Sequence, residues 1–271
     1  MVKAELKVTL VQSKLYWEDA TKNLQHFNQL LAGVKAGSTD VIVLPEMFTT
    51  GFSMQAHKYA HTTNDFVFEW MFKTAKQKQA VLCGSIMFAD NGKYYNRFVW
   101  MQTDGKTQYY DKRHLFSMGT EDKTYTAGQQ PLVVMVNGVA IRPLICYDLR
   151  FPVYSRNTLN GAGKNLKPAY DVLLFVANWP HVRIDAWRSL LKARAIENAC
   201  YCIGVNRIGK DANGMAHSGH SKVFNYKGEI LHACKPDKTC VDTVTLRINE
   251  LAVYRSQFAV LNDADNFSLK L

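Results

Sequence analysis

The chain has 271 residues and a mass of 30.8 kDa, which is enough for one large domain or two ordinary ones. Hydrophobic residues make up 47% of it, with only 16 glycines and 7 prolines, so the composition excludes collagen-like, low-complexity and largely disordered proteins. The formal net charge is +10, but the basic residues do not gather in one part of the sequence. The charge therefore does not predict a nucleic-acid partner.

The sequence also predicts no membrane partner. No stretch approaches the roughly 18 consecutive apolar residues that a membrane-spanning helix needs. Residues 1–11 include Lys3, Glu5 and Lys7 and lack the uninterrupted apolar region of a secretory signal. These features predict a cytoplasmic protein.

Six cysteines lie at positions 83, 146, 200, 202, 234 and 240. In a chain of this length without an export signal, all six are expected to be free thiols. The spacing of Cys200 and Cys202 is wrong for a zinc knuckle and indicates a buried strand instead. The sequence gives no indication of a metal or an organic cofactor.

The first predicted elements alternate between strands and helices. Residues 6–12 alternate apolar and polar side chains as a strand does, and residues 17–34 repeat apolar side chains at helical spacing. Residues 41–44 form a short apolar run, typical of a parallel strand covered on both faces. A second helix is predicted over residues 64–78, with Asn64 as its N-cap.

The rest of the chain adds hairpins to this pattern. Strands are predicted at 80–88, 97–102, 107–110, 132–136 and 139–145, with the turn sequences Asn91-Gly92 and Asn137-Gly138. These are followed by a helix from Pro152 to about residue 160, a strand at 171–177, a helix at 186–199, and strands at 201–205, 221–225, 229–232 and 241–246. Helices interleaved with buried and hairpin strands predict an α/β sandwich in a single domain.

Three chemically active side chains follow predicted strands. Cys146 comes directly after the strand at 139–145, in a sharp turn where the N-terminus of the next helix would favour the thiolate. Glu46 follows the apolar run at 41–44, and Lys112 follows the strand at 107–110. Taken singly, each also fits a structural role, as a buried inert cysteine, a loop glutamate or a solvated lysine.

Taken together, the segments that carry these side chains resemble a known family. Residues 41–47 (VIVLPEM), 110–115 (YDKRHL) and 144–152 (LICYDLRFP) resemble the three signature segments of the nitrilase superfamily of carbon–nitrogen hydrolases, in the family's order. The resemblance extends over almost the whole chain, through residues 171–179, 193–198 and 219–228. It implies a four-layer αββα sandwich that forms a homodimer. The sequence as a whole predicts that residues 1–271 form one domain and use no cofactor.

The resemblance implies a catalytic triad of Glu46, Lys112 and Cys146. Glu46 would take the proton of Cys146, and the thiolate would attack an amide carbonyl. Lys112 and the backbone N–H of Tyr147 would stabilise the oxyanion. Ammonia would then leave, and water would hydrolyse the thioester.

The resemblance also implies further site residues. The family has a second glutamate near the site, and Glu121 is the candidate for it. The alternative is that Glu121, next to Asp122, is a solvent-exposed acid of a loop. Phe116 and Trp179 are expected to wall the pocket, with core packing as the alternative.

The residue after the nucleophile favours an amidase. It is Tyr147, where true nitrilases usually carry tryptophan. Residues 48–54, 111–116, 146–152 and 177–180 resemble the bacterial omega-amidases, which deamidate 2-oxoglutaramate and 2-oxosuccinamate. These keto-acid amides carry a carboxylate, for which Arg183 is the candidate partner. Arg150 is close enough to Cys146 to serve as this partner as well, but it is expected instead to hold the turn together through an ion pair.

Other functions remain open from the residues alone. One is another amidase of the superfamily or an N-carbamoyl amino acid hydrolase. A second is a Cys-His enzyme, for which the candidate histidines are His114, His181, His217 and His220. A third is a catalytically silent protein that recruits anionic partners through its positive charge.

Overall fold

The computed structural model of the protein describes residues 4–161, 166–265 and 267–269. The strands are β1 (Glu5–Gln12), β2 (Val41–Val43), β3 (Val81–Asp90), β4 (Lys93–Met101), β5 (Thr107–Asp111), β6 (Val134–Val136), β7 (Val139–Ile145), β8 (Leu159–Asn160), β9 (Lys167–Pro168), β10 (Val172–Ala177), β11 (Tyr201–Asn206), β12 (Ile208–Lys210), β13 (Ala216–Ser218), β14 (Lys222–Phe224), β15 (Ile230–Ala233) and β16 (Cys240–Arg247). The α-helices are α1 (Ala20–Leu31), α2 (Ala56–Tyr59), α3 (Phe66–Lys78), α4 (Glu121–Thr124), α5 (Pro152–Ser155), α6 (Ile184–Glu197) and α7 (Ile248–Gln257). Within the described ranges, no helix is long and apolar enough to cross a membrane.

Two six-stranded sheets dominate the architecture. The first has the strand order β16-β1-β2-β3-β4-β5, and the second has the order β15-β14-β11-β10-β7-β6. The central strands β1, β2 and β3 of the first sheet are parallel, as are β7, β10 and β11 of the second. Parallel strands are covered on both faces, which explains why their sequences are continuous apolar runs rather than alternating ones.

Alternating side chains of the first sheet build two separate cores. In β2, Val41 and Val43 belong to the core shared with the second sheet, whereas Ile42 belongs to the core under α1 and α3. On the far side of the second sheet, α6 buries Trp187 and Leu191. The layers therefore run helix, sheet, sheet, helix, and the predicted αββα fold is confirmed. That residues 1–271 form one domain stays a prediction.

Helix starts differ from their predicted positions by a few residues. The first helix begins only at Ala20, because Asp19 caps it by accepting the backbone N–H of Lys22 at 2.9 Å. The N-cap of α3 is Asp65 and not Asn64, since the Asp65 carboxylate accepts the N–H of Val67 at 3.0 Å.

The helix predicted from Pro152 to about residue 160 is wrong beyond its first turn. It ends at Ser155, because tertiary hydrogen bonds occupy the backbone that a longer helix would use. The Arg142 guanidinium donates to the carbonyl of Tyr154 at 2.6 Å, and the Tyr170 hydroxyl donates to the carbonyl of Ser155.

The structure also contains elements that the sequence patterns did not predict. Six of them are short, namely the helices α2 and α4 and the strands of the pairs β8-β9 and β12-β13. The largest is α7, whose periodicity is weak because only Ile248 and Leu251 are buried along its ten residues.

The prediction that all six cysteines are free thiols is wrong at two positions. Cys234 and Cys240 form a disulfide in this structure, with Cα atoms 5.9 Å apart. Cys234 directly follows β15 and Cys240 begins β16, so the short connection between these strands brings them together. Cys83, Cys146, Cys200 and Cys202 are free, and both Cys200 and Cys202 are buried as predicted, with Cys202 in β11 and Cys200 directly before it.

Candidate active site

The ends of four strands meet at one cavity of about 640 Å³. Glu46 follows β2 and Lys112 follows β5 in the first sheet, while Cys146 follows β7 and Asn178 follows β10 in the second. All four residues line the cavity. The two sheets therefore bring together the three side chains on which the predicted triad depends.

Cys146 lies in an uncommon backbone conformation. Its φ is 45°, in the left-handed region that few residues other than glycine adopt. It begins a short 3₁₀ turn, Cys146–Arg150, instead of a full α-helix. The sharp reversal between β7 and this turn leaves the cysteine partly exposed to the cavity.

Asp148 holds this turn, and the sequence analysis did not single it out. Its buried carboxylate accepts the N–H of Ile145 at 3.0 Å and the hydroxyl of Tyr110 at 2.8 Å. It also accepts the backbone N–H of His114 at 3.0 Å and contacts the Nδ1 of that ring at 2.8 Å. Because Tyr110 and His114 flank Lys112, Asp148 connects the nucleophile turn to the loop that carries the lysine.

Hydrogen bonds fix the Glu46 carboxylate on both oxygens. Its Oε1 accepts Lys112 Nζ at 3.0 Å and Asn96 Nδ2 at 2.8 Å, and its Oε2 accepts the backbone N–H of Asn178 at 2.7 Å. The Asn178 side chain donates in turn to the Glu46 carbonyl at 2.6 Å. Asn96 and Asn178 are thus further site residues that sequence reasoning missed, since neither stands out in a lone sequence.

Glu121 lies in the site and not in solvent. It is fully buried, and its two carboxylate oxygens accept Lys112 Nζ at 3.0 and 2.9 Å. One of them also accepts the N–H of Phe116 at 2.6 Å. The ammonium group of Lys112 is therefore held between the carboxylates of Glu46 and Glu121.

Burial and neighbouring charges have opposing effects on the pKa values of Lys112 and Glu121. Burial disfavours the Lys112 ammonium, but the charges of Glu121 and Glu46 outweigh burial and raise the pKa of Lys112 above its ordinary value. Burial also raises the pKa of Glu121, an effect that Lys112 opposes and Glu46 reinforces. One buried ammonium thus serves two buried carboxyl groups.

The same surroundings keep Cys146 protonated at rest. Burial raises the pKa of its thiol well above the ordinary value; the charge of Glu46 adds to this, and the charge of Lys112 only partly opposes it. The predicted preference for the thiolate is therefore wrong, since burial and two carboxylates outweigh a turn of only five residues. The thiol hydrogen-bonds Glu46, which is thus placed to accept its proton.

The four predicted substrate-binding residues all line the cavity, namely Tyr147, Phe116, Trp179 and Arg183. The rings of Phe116 and Tyr147 contact each other edge to face, with centroids 5.1 Å apart. The Arg183 guanidinium lies 5.5 Å from the Phe116 centroid, and the Arg183 carbonyl accepts the indole N–H of Trp179 at 2.8 Å. The aromatic wall therefore supports an arginine at the mouth of the site.

The expectation that Arg150 forms an ion pair is wrong. Its guanidinium lies over the ring of Trp179, 5.0 Å from the centroid, and it lines the cavity. No carboxylate of the described residues lies within ion-pairing distance of it. The cavity thus presents a second arginine.

Among the described residues, no histidine is hydrogen-bonded to Cys146, and of the four candidate histidines only His217 lines the cavity. Burial and the nearby Arg207 lower the pKa of His217 to about 4, and His114 is engaged by Asp148. The group that accepts a hydrogen bond from the Cys146 thiol is the carboxylate of Glu46.

Comparison with known proteins decides the family. The carbon–nitrogen hydrolase family model matches residues 7–256. The chain belongs to this family. It is thus a hydrolase of carbon–nitrogen bonds, as predicted.

Relatives and solved structures agree with this assignment. The chain is 43% identical to the omega-amidase YafV of Escherichia coli K12, over 97% of this chain and 98% of that protein. It is 32% identical to a 2-oxoglutaramate amidase of Bacillus subtilis, over 83% of this chain and 84% of that one. The structure of XC1258 from Xanthomonas campestris, a CN-hydrolase superfamily protein with an arsenic adduct in its active site, superposes with a TM-score of 0.95 at 38% identity, covering 99% and 100% of the two chains.

Asp148→Asn tests the connection between the two loops. Both oxygens of the Asp148 carboxylate accept hydrogen bonds, whereas an asparagine side chain has only one oxygen that can accept them. We therefore expect Cys146 to be misplaced and kcat to fall about 10²-fold, with KM little changed. Lost hydrogen bonds to a charged group should also lower the free energy of unfolding by about 1.5–3 kcal/mol. Amide hydrolysis, followed as ammonia release, and urea denaturation measure the two effects.

The matched control is Asp122→Asn, which removes an exposed carboxylate beside Glu121. Both kcat and the free energy of unfolding should stay at wild-type values. An Asp148→Asn enzyme with wild-type kcat would contradict a positioning role for Asp148.

Proposed function

We propose that the protein is an omega-amidase. It hydrolyses the terminal amide of a 2-oxo dicarboxylic acid monoamide, such as 2-oxoglutaramate or 2-oxosuccinamate, to the 2-oxo acid and ammonia. The observation that carries this proposal is that Cys146 lines one cavity with the buried Glu46 and the buried Lys112, whose side chains lie 3.0 Å apart, and with two arginines. The identity to omega-amidase YafV over almost the whole chain supports the substrate class.

The first half of the reaction forms a thioester. Glu46 takes the thiol proton of Cys146 as the sulfur attacks the amide carbon, so that a C–S bond forms and the carbonyl oxygen becomes an oxyanion. The Lys112 ammonium and the backbone N–H of Tyr147 stabilise this charge. When the intermediate collapses, the C–N bond breaks and the leaving nitrogen takes the proton from Glu46, which releases ammonia.

The second half regenerates the enzyme. Glu46, again a carboxylate, takes a proton from water as the oxygen attacks the thioester carbon. The C–S bond then breaks, and the sulfur of Cys146 recovers its proton from Glu46. Glu121 acts as a positioning residue, because it orients the Lys112 ammonium and favours its charged form. The nucleophiles and the proton transfers of both halves thus come from protein side chains and water.

Cys146→Ala tests the nucleophile. Ammonia release from 2-oxoglutaramate should fall to the background rate while thermal unfolding remains that of the wild type, since no bond to substrate can form without the sulfur. The matched control is Cys200→Ala, which removes a thiol whose pKa burial raises to about 12. This variant should retain turnover.

The same assay, run on other substrates, distinguishes the omega-amidase proposal from its alternatives. Glutamine, an N-carbamoyl amino acid and a simple nitrile should each be turned over far more slowly than 2-oxoglutaramate. Preference for the N-carbamoyl compound would replace the omega-amidase proposal with the carbamoylase alternative. Turnover by the Cys146→Ala enzyme at the wild-type rate would contradict the thioester route itself.

We further propose that Arg183 binds the substrate carboxylate. Arg183 lines the cavity, its guanidinium lies over the ring of Phe116, and its backbone carbonyl accepts the indole N–H of Trp179, so the guanidinium is placed to form a bidentate pair with a carboxylate. Arg183→Ala should lower kcat/KM for 2-oxoglutaramate by roughly 10- to 100-fold, because hydrogen bonds to charged groups contribute about 1.5–3 kcal/mol. Turnover of a neutral amide should change little.

Two variants serve as comparisons in this experiment. Arg188→Ala removes an exposed arginine of α6 that pairs with Asp185, and it should leave both substrates unaffected. If Arg150→Ala, rather than Arg183→Ala, selectively impairs the acidic substrate, the carboxylate partner is Arg150. An equal loss on both substrates for Arg183→Ala would contradict the proposed role.

We also propose a homodimer, formed through the neighbouring surfaces of α5, the end of α6, and α7. These elements adjoin, since Arg156 donates to the Glu197 carbonyl and Arg255 donates to the Ala199 carbonyl at 2.8 Å. A large apolar side chain is exposed at each of them, namely Val153 in α5, Ile196 in α6 and Phe258 directly after α7. Cytoplasmic localisation stays a prediction from the sequence.

Sedimentation equilibrium tests this interface. The wild type should have twice the mass of the chain, and Phe258→Asp should shift it towards the monomer, because the charge would be buried in the contact. Met135→Asp, which alters an exposed apolar side chain on β6, should leave the dimer intact. A wild-type monomer at all concentrations would rule the dimer out.

A further inference from the structure

Four potential metal ligands gather where the chain crosses from the second sheet to the first. His232 lies on β15 and Cys234 follows it; Cys240 and Asp242 lie at the start of β16. One donor atom from each lies within 4.8 Å of the other three. None of the four lines the catalytic cavity, so the reaction described above does not use this cluster.

The separations between the donor atoms fit a tetrahedral ion. Ligands bound at about 2.0–2.3 Å to tetrahedral zinc lie roughly 3.3–3.8 Å from one another. His232 Nε2 lies 3.8 Å from Cys234 Sγ, 4.0 Å from Cys240 Sγ and 3.2 Å from Asp242 Oδ2. Cys240 Sγ lies 3.1 Å from Asp242 Oδ2. The two sulfurs, which are bonded to each other in this structure, must move apart.

Reduction of the disulfide allows the two sulfurs to separate and bind an ion. A dithiol reductant is oxidised to its own disulfide as it gives two electrons and two protons to the Cys234–Cys240 bond, which becomes two thiols. A divalent ion that binds both sulfurs then releases these two protons to solvent. Cellular compartments rich in glutathione and thioredoxin keep such thiols reduced, so the reduced pair is the form expected in a cytoplasmic protein.

We propose that the reduced chain binds one zinc ion through His232, Cys234, Cys240 and Asp242. Two thiolates and an imidazole favour zinc over magnesium or calcium, which prefer oxygen ligands. The two cysteines are only 4% and 8% exposed, whereas Asp242 is exposed and leaves a path from solvent. The ion would connect β15 of one sheet with β16 of the other.

Hydrogen bonds around the cluster hold the crossing segment without the disulfide. The buried Gln12 side chain donates to the carbonyls of Lys235 and Lys238, at 2.9 Å each. The N–H of Cys234 donates to the Ser221 carbonyl at 3.0 Å, and that of Asp237 to the Ser218 carbonyl at 3.1 Å. Reduction therefore leaves both cysteines anchored near each other, which lowers the cost of organising a site.

The competing explanation is a structural disulfide beside a surface ion pair of His232 and Asp242. The experiment uses the full chain carrying Cys146→Ala, so that the catalytic thiol cannot bind metal. The protein is reduced with a dithiol, freed of reductant without oxygen, and titrated with Co²⁺. We expect one equivalent to bind per chain, with thiolate-to-cobalt charge-transfer and tetrahedral visible bands that Zn²⁺ abolishes by displacement.

Matched samples make the result specific. The same protein with its disulfide intact should give no thiolate band. Asp237→Asn removes an exposed acid from the same crossing segment and should bind cobalt normally. His232→Asn should weaken binding by at least about 10- to 100-fold, a loss that is typical even for residues one step removed from a metal. The double variant Cys234→Ser, Cys240→Ser should lose the charge-transfer band.

A second measurement does not depend on whether these variants fold. Zinc should protect Cys234 and Cys240 of the reduced protein from alkylation, as read by peptide mass spectrometry, and should raise its Tm. Absence of the thiolate band together with unprotected cysteines would overturn the proposal and leave a structural disulfide only. Because all readouts use the Cys146→Ala background, their outcome is independent of the omega-amidase proposal.

Discussion

A buried ionic group of one ammonium and two carboxylates determines how the active site must be built. Glu46, Lys112 and Glu121 are all withdrawn from water, and the charges stabilise the fold only while each has its partners. Removing one member of such a buried pair costs about 3–5 kcal/mol, because an uncompensated charge stays behind. The surrounding donors, from Asn96, Asn178 and the Phe116 backbone, satisfy the remaining carboxylate oxygens.

Burial and the carboxylates of this ionic group together explain why the nucleophile rests as a thiol. Burial raises the pKa of the Cys146 thiol, and the carboxylate of Glu46 adds to the effect, so Cys146 holds its proton until a substrate offers the carbonyl carbon to attack. The same carboxylate is then the base. The Asp148 carboxylate keeps the Cys146 sulfur close to Glu46, because it accepts hydrogen bonds both from the turn that carries Cys146 and from the loop that carries Lys112.

The sequence predicted the parts of the molecule that have strong local signals. Apolar runs located the central strands, the Asn137-Gly138 hairpin formed as predicted, and the family resemblance identified the residues that meet in the cavity. The helix after Pro152 was overestimated because side chains from distant segments bind its backbone. The disulfide was missed because it depends on the nearness of β15 and β16, which no local pattern reveals.

The roles of Asp148, Asn96 and Asn178 could not be predicted for a related reason. Each acts through hydrogen bonds to groups far away in the chain, such as Asn178 to Glu46. Polar residues of these types are common in loops, and only the assembled fold distinguishes them. The pKa of Cys146 was predicted in the wrong direction because the sequence shows the turn after it but not the burial around it.

The pairing of β1 with β16 has a consequence for how the protein is made. Glu5 lies opposite Arg247, so this edge of β1 stays uncovered until β16, which comes much later in the chain, has been synthesised. Until then, β1 presents unpaired backbone groups, which in a crowded cell invite association with other nascent chains. Glu46 and Lys112 belong to this late-closing sheet, and Cys146 to the other. The sheet that carries Glu46 and Lys112 is therefore complete only after β16 has been synthesised, and a chain that lacks β16 is expected to leave the edge of β1 exposed.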